Sequence, residues 1–165
     1  RDTVRVIQAN KRRVKIFVDF WNVVVNARNQ SKMFDLEVRW DALADFVLNK
    51  TRSGYTDETT GEMAGCYVFG SYPKSNHKEY KFIKRTIDEF DLFLGYFLTF
   101  RNEFQKHPLF VAQSAANEPS KIEAGVDVLL AVEMIKHSAM KEHEYMALIS
   151  SDRDFAPVLS YLRDQ

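Results

Sequence analysis

The sequence predicts an α/β domain, a three-layer α/β/α sandwich around a central, mainly parallel sheet. Continuous apolar runs alternate along the chain with helical apolar patterns, and this alternation is typical of parallel strands joined by right-handed helical crossovers. The length of 165 residues suits one domain with a full hydrophobic core. Hydrophobic residues make up 45% of the chain and charged residues 28%, a composition typical of globular proteins.

Four segments have the composition of buried strands. Each is a continuous apolar run more than an alternation of apolar and polar residues, as expected when a sheet is covered on both faces. The predicted strands are Val14–Phe20, Ala64–Phe69, Leu92–Phe100 and Tyr145–Ser150.

Helical patterns follow each of these runs. Apolar side chains recur every three or four residues in the first pattern, and the second sets an apolar side against a lysine- and arginine-bearing side. The predicted helices are Trp40–Thr51, Asn76–Phe90, Gly125–Met140 and Phe155–Leu162.

Three polar stretches are predicted to be loops, Asn29–Arg39, Ser53–Glu62 and Arg101–Ser120. The third is longer than compact domains usually tolerate. It contains either a short extra hairpin, with "PLFVAQ" as a strand, or a functional segment, and the sequence leaves both open.

Composition narrows the functional classes. Lys+Arg 23 balances Asp+Glu 23, so the total charge indicates neither a nucleic acid nor a membrane partner, although a local patch is compatible with it. Cys66 is the only cysteine, which excludes an internal disulfide, argues against a thiolate zinc site and favours a reducing, cytoplasmic location. No apolar run approaches the roughly 20 residues that cross a bilayer, so no membrane partner is expected. The chain starts at Arg1, and we expect a fragment, with further domains or a homodimer left open.

Carboxylates gather at the predicted strand ends. Asp19 closes the first strand, and Asp152 and Asp154 follow the last one. Asp127 falls in the first turn of the helix that begins near Gly125, on its sheet-facing side. Since ligands of open α/β sheets bind beyond the carboxyl ends of the strands, all four acids are expected on one rim.

Bringing several carboxylates together is unfavourable, because like charges raise one another's pKa and desolvation adds to the cost. A hard divalent cation such as Mg²⁺ or Mn²⁺ removes this cost and leaves room for phosphate oxygens, which points to phosphodiester hydrolysis. Each acid alone has a plainer explanation: Asp127 as a helix-start charge, and Asp152 as an N-cap with Asp154 in the first turn. Asp19, inside "FVDFW", has little expected structural use at a strand end.

The same residues resemble the NYN domain family, in the LabA-like branch of the PIN-like nucleases. Its Asp-x-x-Asn element corresponds to Asp19 and Asn22, its Gly-Val-Asp-Val helix start contains Asp127, and its Ser-x-Asp-x-Asp-Phe element reads here as "SSDRDF". That last element supplies Ser150, Asp152, Asp154 and Phe155.

The resemblance implies a PIN-like sandwich and divalent-metal-dependent RNA cleavage with Mg²⁺ or Mn²⁺. It assigns the metal and the catalysis to Asp19, Asp127, Asp152 and Asp154, and Asn22 to holding the site. The chain departs from the family where Phe20 and Trp21 replace a commonly small residue. It also departs at Glu133, where the family often has aspartate, and in a less basic approach to the Gly-Val-Asp element.

The sequence also offers candidate domain bounds and substrate contacts. Residues 1–13 are interpreted as a basic N-terminal extension and residues 14–165 as a PIN-like NYN nuclease domain. Trp21 is the candidate for stacking on a base, and Ser151 and Lys121 are candidate substrate contacts. Single-stranded RNA is favoured because an unpaired strand bends into a rim site, although nothing in the sequence separates RNA from DNA.

Other functions fit less well. A phosphatase of the haloacid-dehalogenase type needs a second aspartate two residues after the first, where this chain has Trp21. A Toprim-type enzyme pairs its Asp-x-Asp with a glutamate after an earlier strand, where this chain has Asp19. The main alternative to an endoribonuclease is a catalytically silent PIN-like module that binds RNA or a protein.

Overall fold

A computed structural model describes residues 13–51, 61–72, 78–102, 125–143 and 145–165. Four strands form one sheet in the order β3-β2-β1-β4, and every neighbouring pair is parallel. The strands are β1 Arg13–Asp19, β2 Glu62–Tyr72, β3 Tyr96–Asn102 and β4 Tyr145–Ile149. The helices are α1 Phe20–Ser31, α2 Trp40–Thr51, α3 Tyr80–Phe90, α4 Val126–Ser138 and α5 Ala156–Arg163, with a short 3-10 turn, Arg153–Phe155, before α5.

Helices cover both faces of the sheet, so the predicted α/β/α sandwich is confirmed. On one face Ile16 and Val18 of β1, both almost fully buried, pack in a cluster with side chains of α1, α2 and α3. On the other face Phe17 packs in a cluster with Leu130 and Met134 of α4. Side chains alternate between the two faces along β1, and burying each large apolar side chain contributes about 1.5–3 kcal/mol.

Helix α1 corrects the sequence interpretation, which extended the first strand to Phe20 and assigned no helix before Trp40. The run "FWNVVVN" contains aromatic and β-branched residues that are common in strands, so its composition favoured a strand. In the structure Asp19 caps a helix that begins at Phe20 and ends at Ser31, followed by Lys32 with a left-handed φ of 57°. The predicted loop at Asn29–Arg39 therefore begins inside α1.

Several other boundaries differ from the predictions; β2, for example, spans Glu62–Tyr72 and not Ala64–Phe69. Strand β3 begins at Tyr96 and not at Leu92, because residues 92–95 form a turn that leaves Leu92 and Leu94 exposed. Arg101 belongs to β3 and not to the loop that was predicted to start there. Helix α2 has the predicted bounds, and α3 is observed from Tyr80.

Several expectations concern residues outside the described ranges. They include the basic run of residues 1–12, the "PLFVAQ" segment and Lys121. Within the described ranges, no helix combines the length and apolar character that a membrane span needs.

Candidate functional site

Asp19 lies at the carboxyl end of β1 with only 4% of its surface exposed. Its carboxylate accepts a hydrogen bond from the backbone N–H of Asn22 at 3.4 Å, which makes Asp19 the N-cap of α1. The hydroxyl of Ser150 donates to the other carboxylate oxygen at 2.9 Å. Asp19 therefore has a structural role as a helix cap, contrary to the expectation that an acid has little structural use there.

Hydrogen bonds between Asn22 and Ser151 join the start of the turn after β4 to helix α1. The Asn22 side-chain oxygen accepts from the backbone N–H of Ser151 at 2.8 Å and from its hydroxyl at 3.1 Å. Asn26, one turn further along α1, donates to the Ser151 hydroxyl at 2.9 Å and to the Asn22 carbonyl at 2.8 Å. Asn26 was missed because its four-residue spacing from Asn22 matters only on a helix, and α1 was not predicted.

Asp152 and Asp154 occupy the turn between β4 and α5. Asp152 caps the 3-10 turn, because its carboxylate accepts from the backbone N–H of Asp154 at 2.9 Å. The backbone N–H of Asp152 in turn donates to the Ser150 hydroxyl at 3.1 Å. Phe155 is 2% exposed and anchors this turn on the α4 side of the sheet. The side chain of Asp154 is exposed, whereas that of Asp152 is half-buried.

Asp127 lies in the first turn of α4 and is half-buried. Gly125 precedes the helix with a φ of 90°, a left-handed conformation that glycine adopts without the strain imposed on other residues. The Gly125 carbonyl accepts from the backbone N–H of Leu129 at 3.0 Å, which begins the helix. The expectation that Gly125 opens this helix and places Asp127 in its first turn matches the structure.

The four carboxylates interact electrostatically. Burial raises the pKa of Asp19, and the charges of Asp127 and Asp152 raise it further, against the lowering effect of its hydrogen bonds. Burial likewise raises the pKa of Asp127, with added repulsion from Asp152 and Asp154. Within the described ranges, no lysine or arginine forms an ion pair with any of the four. The structure thus brings these acids to one rim, with no ion-pair partner for them among the residues that it describes.

The four carboxylates do not form a complete set of protein ligands around one metal position. In the part of the chain that the structure describes, no three His, Cys, Asp or Glu side chains are positioned to bind one metal ion together. The donor chemistry nevertheless suits a hard cation, because all the available donors are carboxylate oxygens. Mg²⁺ typically binds through one or two carboxylates and keeps several waters, so a compact protein cage is not required. The arrangement fits a hydrated Mg²⁺ or Mn²⁺ and does not fit a closed structural metal site.

Two of the candidate substrate-contact residues, Trp21 and Ser151, lie in the described ranges, and both form hydrogen bonds within the domain. The Trp21 indole N–H donates to the Ser71 carbonyl at 2.9 Å, and its ring meets the Phe20 ring edge-on at 5.3 Å between centroids. The indole is half-buried and joins α1 to the end of β2. Ser151 is exposed and bonded to α1 through Asn22 and Asn26.

Comparison with known proteins agrees with this architecture. A crystal structure of a protein of unknown function from Vibrio parahaemolyticus is similar, with a TM-score of 0.50 and 14% sequence identity over 95% of this chain and 77% of that chain. That likeness concerns the fold alone, and no curated protein matches the chain. Residues 13–165 match the NYN domain. The chain therefore belongs to the NYN domain family, whose fold is of the PIN-like nuclease type.

Proposed function

We propose that this domain is a divalent-metal-dependent endoribonuclease of the LabA-like branch that hydrolyses phosphodiester bonds in single-stranded RNA. The observation that supports it most is the buried Asp19 carboxylate beside Asp127 and Asp152, with no described lysine or arginine paired to them. A module that only binds RNA or protein gains nothing from this repulsion. A cation converts the same cluster from a destabilising feature into a binding site for phosphate oxygens.

The proposed metal ligands are Asp19, at the carboxyl end of β1, and Asp152 and Asp154, in the turn after the neighbouring strand β4. Asp127 is proposed to act directly or through water. Mg²⁺ or Mn²⁺, when bound there, supplies an activated water and neutralises the charge that develops on phosphate oxygens. The open geometry leaves coordination positions for the substrate.

Positioning is the proposed role of the surrounding polar residues. Ser150 holds the Asp19 carboxylate at 2.9 Å and accepts from the Asp152 backbone N–H at 3.1 Å, so one hydroxyl joins the two proposed ligands. Asn22 fixes the turn that carries Asp152 through its bonds to Ser151. No histidine among the described residues takes part in these contacts. A cation held by these acids would lower the pKa of a bound water, so that the water would lose its proton to solvent near neutral pH.

Substrate contact and location complete the proposal. Trp21, Ser151 and Lys121 are proposed to contact RNA, and the basic residues of the extension 1–13 to neutralise its phosphates ahead of the nuclease domain 14–165. A cytoplasmic location is also proposed, because a single buried cysteine suits a reducing compartment.

The test is cleavage of labelled single-stranded RNA and DNA by the purified protein with Mn²⁺, Mg²⁺ or EDTA. Wild-type protein is expected to cut RNA only with metal, and Asp19→Asn and Asp152→Asn to lower the rate at least about a hundredfold. Asp164→Asn is the matched control, because Asp164 is an exposed aspartate after the last turn of α5, paired with Arg163. Metal-dependent cleavage that survives in Asp19→Asn would reject the assignment, and RNA retained uncut by wild-type protein would favour the binding module.

A further inference from the structure

Arg101 lies on the same rim as the acidic cluster, although it comes from the opposite edge strand. It is near the carboxyl end of β3 and pairs with Ser71 of β2, two residues beyond Phe69, which pairs with Asp19. Residues paired across parallel strands lie on the same face of a sheet. Arg101 and Asp19 are therefore both on the face that α4 covers.

The guanidinium of Arg101 reaches the start of α4. Its Nη1 atom lies 3.7 Å from the position that a Cβ atom on Gly125 would occupy, and Gly125 is two residues before Asp127. Arg101 is exposed and, within the described ranges, forms no ion pair with the acids of the rim.

A structural role explains this position poorly. The start of a helix carries a partial positive charge, so the helix dipole of α4 does not favour a guanidinium there, and Arg101 forms no ion pair with Asp127 in the first turn. Guanidinium groups bind phosphate oxygens through paired N–H donors, and an exposed one at this rim, without an ion pair to the described acids, has these donors available.

We propose that Arg101 binds an RNA phosphate next to the one that is cleaved, and so directs the strand across the start of α4 towards β3. This inference rests on the proposed function of the acidic cluster. Two strand spacings, about 9–10 Å, separate the backbones of β1 and β3. The Arg101 guanidinium lies beside Gly125 and forms no ion pair with the described acids, so we assign to it a phosphate next to the one held at the acids. A contact to the phosphate and not to a base predicts binding with little sequence preference.

The test measures RNA binding without cleavage. Fluorescence anisotropy with labelled single-stranded RNA, in EDTA, compares Asp19→Asn with Asp19→Asn/Arg101→Ala, because the Asp19→Asn background removes both cleavage and one repulsive charge. We expect the second protein to bind about tenfold more weakly. The slope of log affinity against log salt concentration should fall by about 0.7, the value for one phosphate contact on a single strand.

Two variants separate substrate contact from a structural effect. Arg101→Lys is expected to restore the salt slope and part of the affinity, since it keeps the charge but not the planar fork. Arg163→Ala, an exposed arginine in the last turn of α5, is the control and should leave binding unchanged.

The possible results distinguish the two proposals. Loss of affinity and slope in Arg101→Ala supports a phosphate contact at Arg101. If wild-type protein also fails to cut RNA, that contact stands, and the statement that the phosphate neighbours a cleaved one falls with the nuclease proposal. The inference is overturned if Arg101→Ala has the same affinity and salt slope as the Arg163→Ala control. It is also overturned if the Asp19→Asn protein binds no RNA. The cleavage assay tests the nuclease proposal separately.

Discussion

Replacing Asp19 with Asn should leave the metal-free fold nearly as stable as wild type and abolish its stabilisation by metal. Asn caps helices about as well as Asp, so the bond to the Asn22 N–H changes by a few tenths of a kcal/mol. The hydrogen bond that the Ser150 hydroxyl donates to the residue 19 side chain, at 2.9 Å, weakens when that side chain loses its charge. This lowers the free energy of unfolding by about 1 kcal/mol.

Removing the charge offsets that cost. Because the pKa of Asp19 is raised in the folded protein, its ionised form destabilises the fold at neutral pH, and Asn lacks this ionised form. The free energy of unfolding without metal is therefore expected to change by no more than about 1 kcal/mol, or about 4 °C in Tm for a chain of 165 residues.

The rise in Tm on addition of metal should be much larger for wild-type protein than for Asp19→Asn. A cation at one hundred times its Kd stabilises a folded protein by about 2.7 kcal/mol, which corresponds to a rise of roughly 5–11 °C in Tm. Wild-type protein and the Asp164→Asn control should show this rise with Mn²⁺ in thermal unfolding followed by circular dichroism, reversibly with EDTA. An equal rise in Asp19→Asn would refute the reasoning, because it would mean that the cation binds without the buried carboxylate.

Three further predictions concern the rest of the fold. Gly70→Ala places a Cβ atom 2.6 Å from the Phe100 ring, so we expect the free energy of unfolding, measured in urea, to fall by about 1–3 kcal/mol. An unchanged urea midpoint would mean that the Phe100 ring moves aside without cost. Burial raises the pKa of the Cys66 thiol to about 12, so the folded protein should not react with a disulfide reagent at pH 8, and urea should expose the thiol; rapid reaction without urea would contradict this burial. Burial, and then the charge of Lys15, lower the pKa of His137 below 6.5 in the folded protein. With respect to this histidine, the folded protein therefore keeps its full stability above pH 6.5 and loses part of it as the pH falls through the lowered pKa of His137. His137→Gln should reduce the loss of Tm between pH 7.5 and 5.5, and an unaltered profile would exclude His137 as its source.

Apolar runs were sufficient to predict the sheet. Strands β1 and β4 match their predicted segments closely, because β1 is buried between two layers and the partly buried apolar residues of β4 pack against both cores. Few other conformations bury a continuous apolar run. Helix α1 was not predictable in the same way. Its three consecutive valines favour a strand by composition, and the hydrogen bond from Asn22 to Asp19 starts a helix there instead.

The candidate site was predictable in outline but not in its connections. Parallel topology alone assigns Asp19 and Asp152 to one rim, and helical spacing places Asp127 near them. The bonds between Asn22, Asn26 and Ser151 depend on α1, so they could not be inferred once that helix was missed. Arg101 required the strand register, because its pairing with Ser71 and not its neighbours in sequence brings it to the rim.

The hydrogen bond between Ser150 and Asp19 joins residues 131 positions apart and depends on β4, an edge strand and the last strand among the described residues. Contacts so distant in sequence form late, after nearer parts of the chain have already paired. During synthesis, a polypeptide lacking this final strand holds Asp19 without Ser150 or Asp152 beside it. The proposed cation site is therefore incomplete in a chain whose β4 has not yet docked.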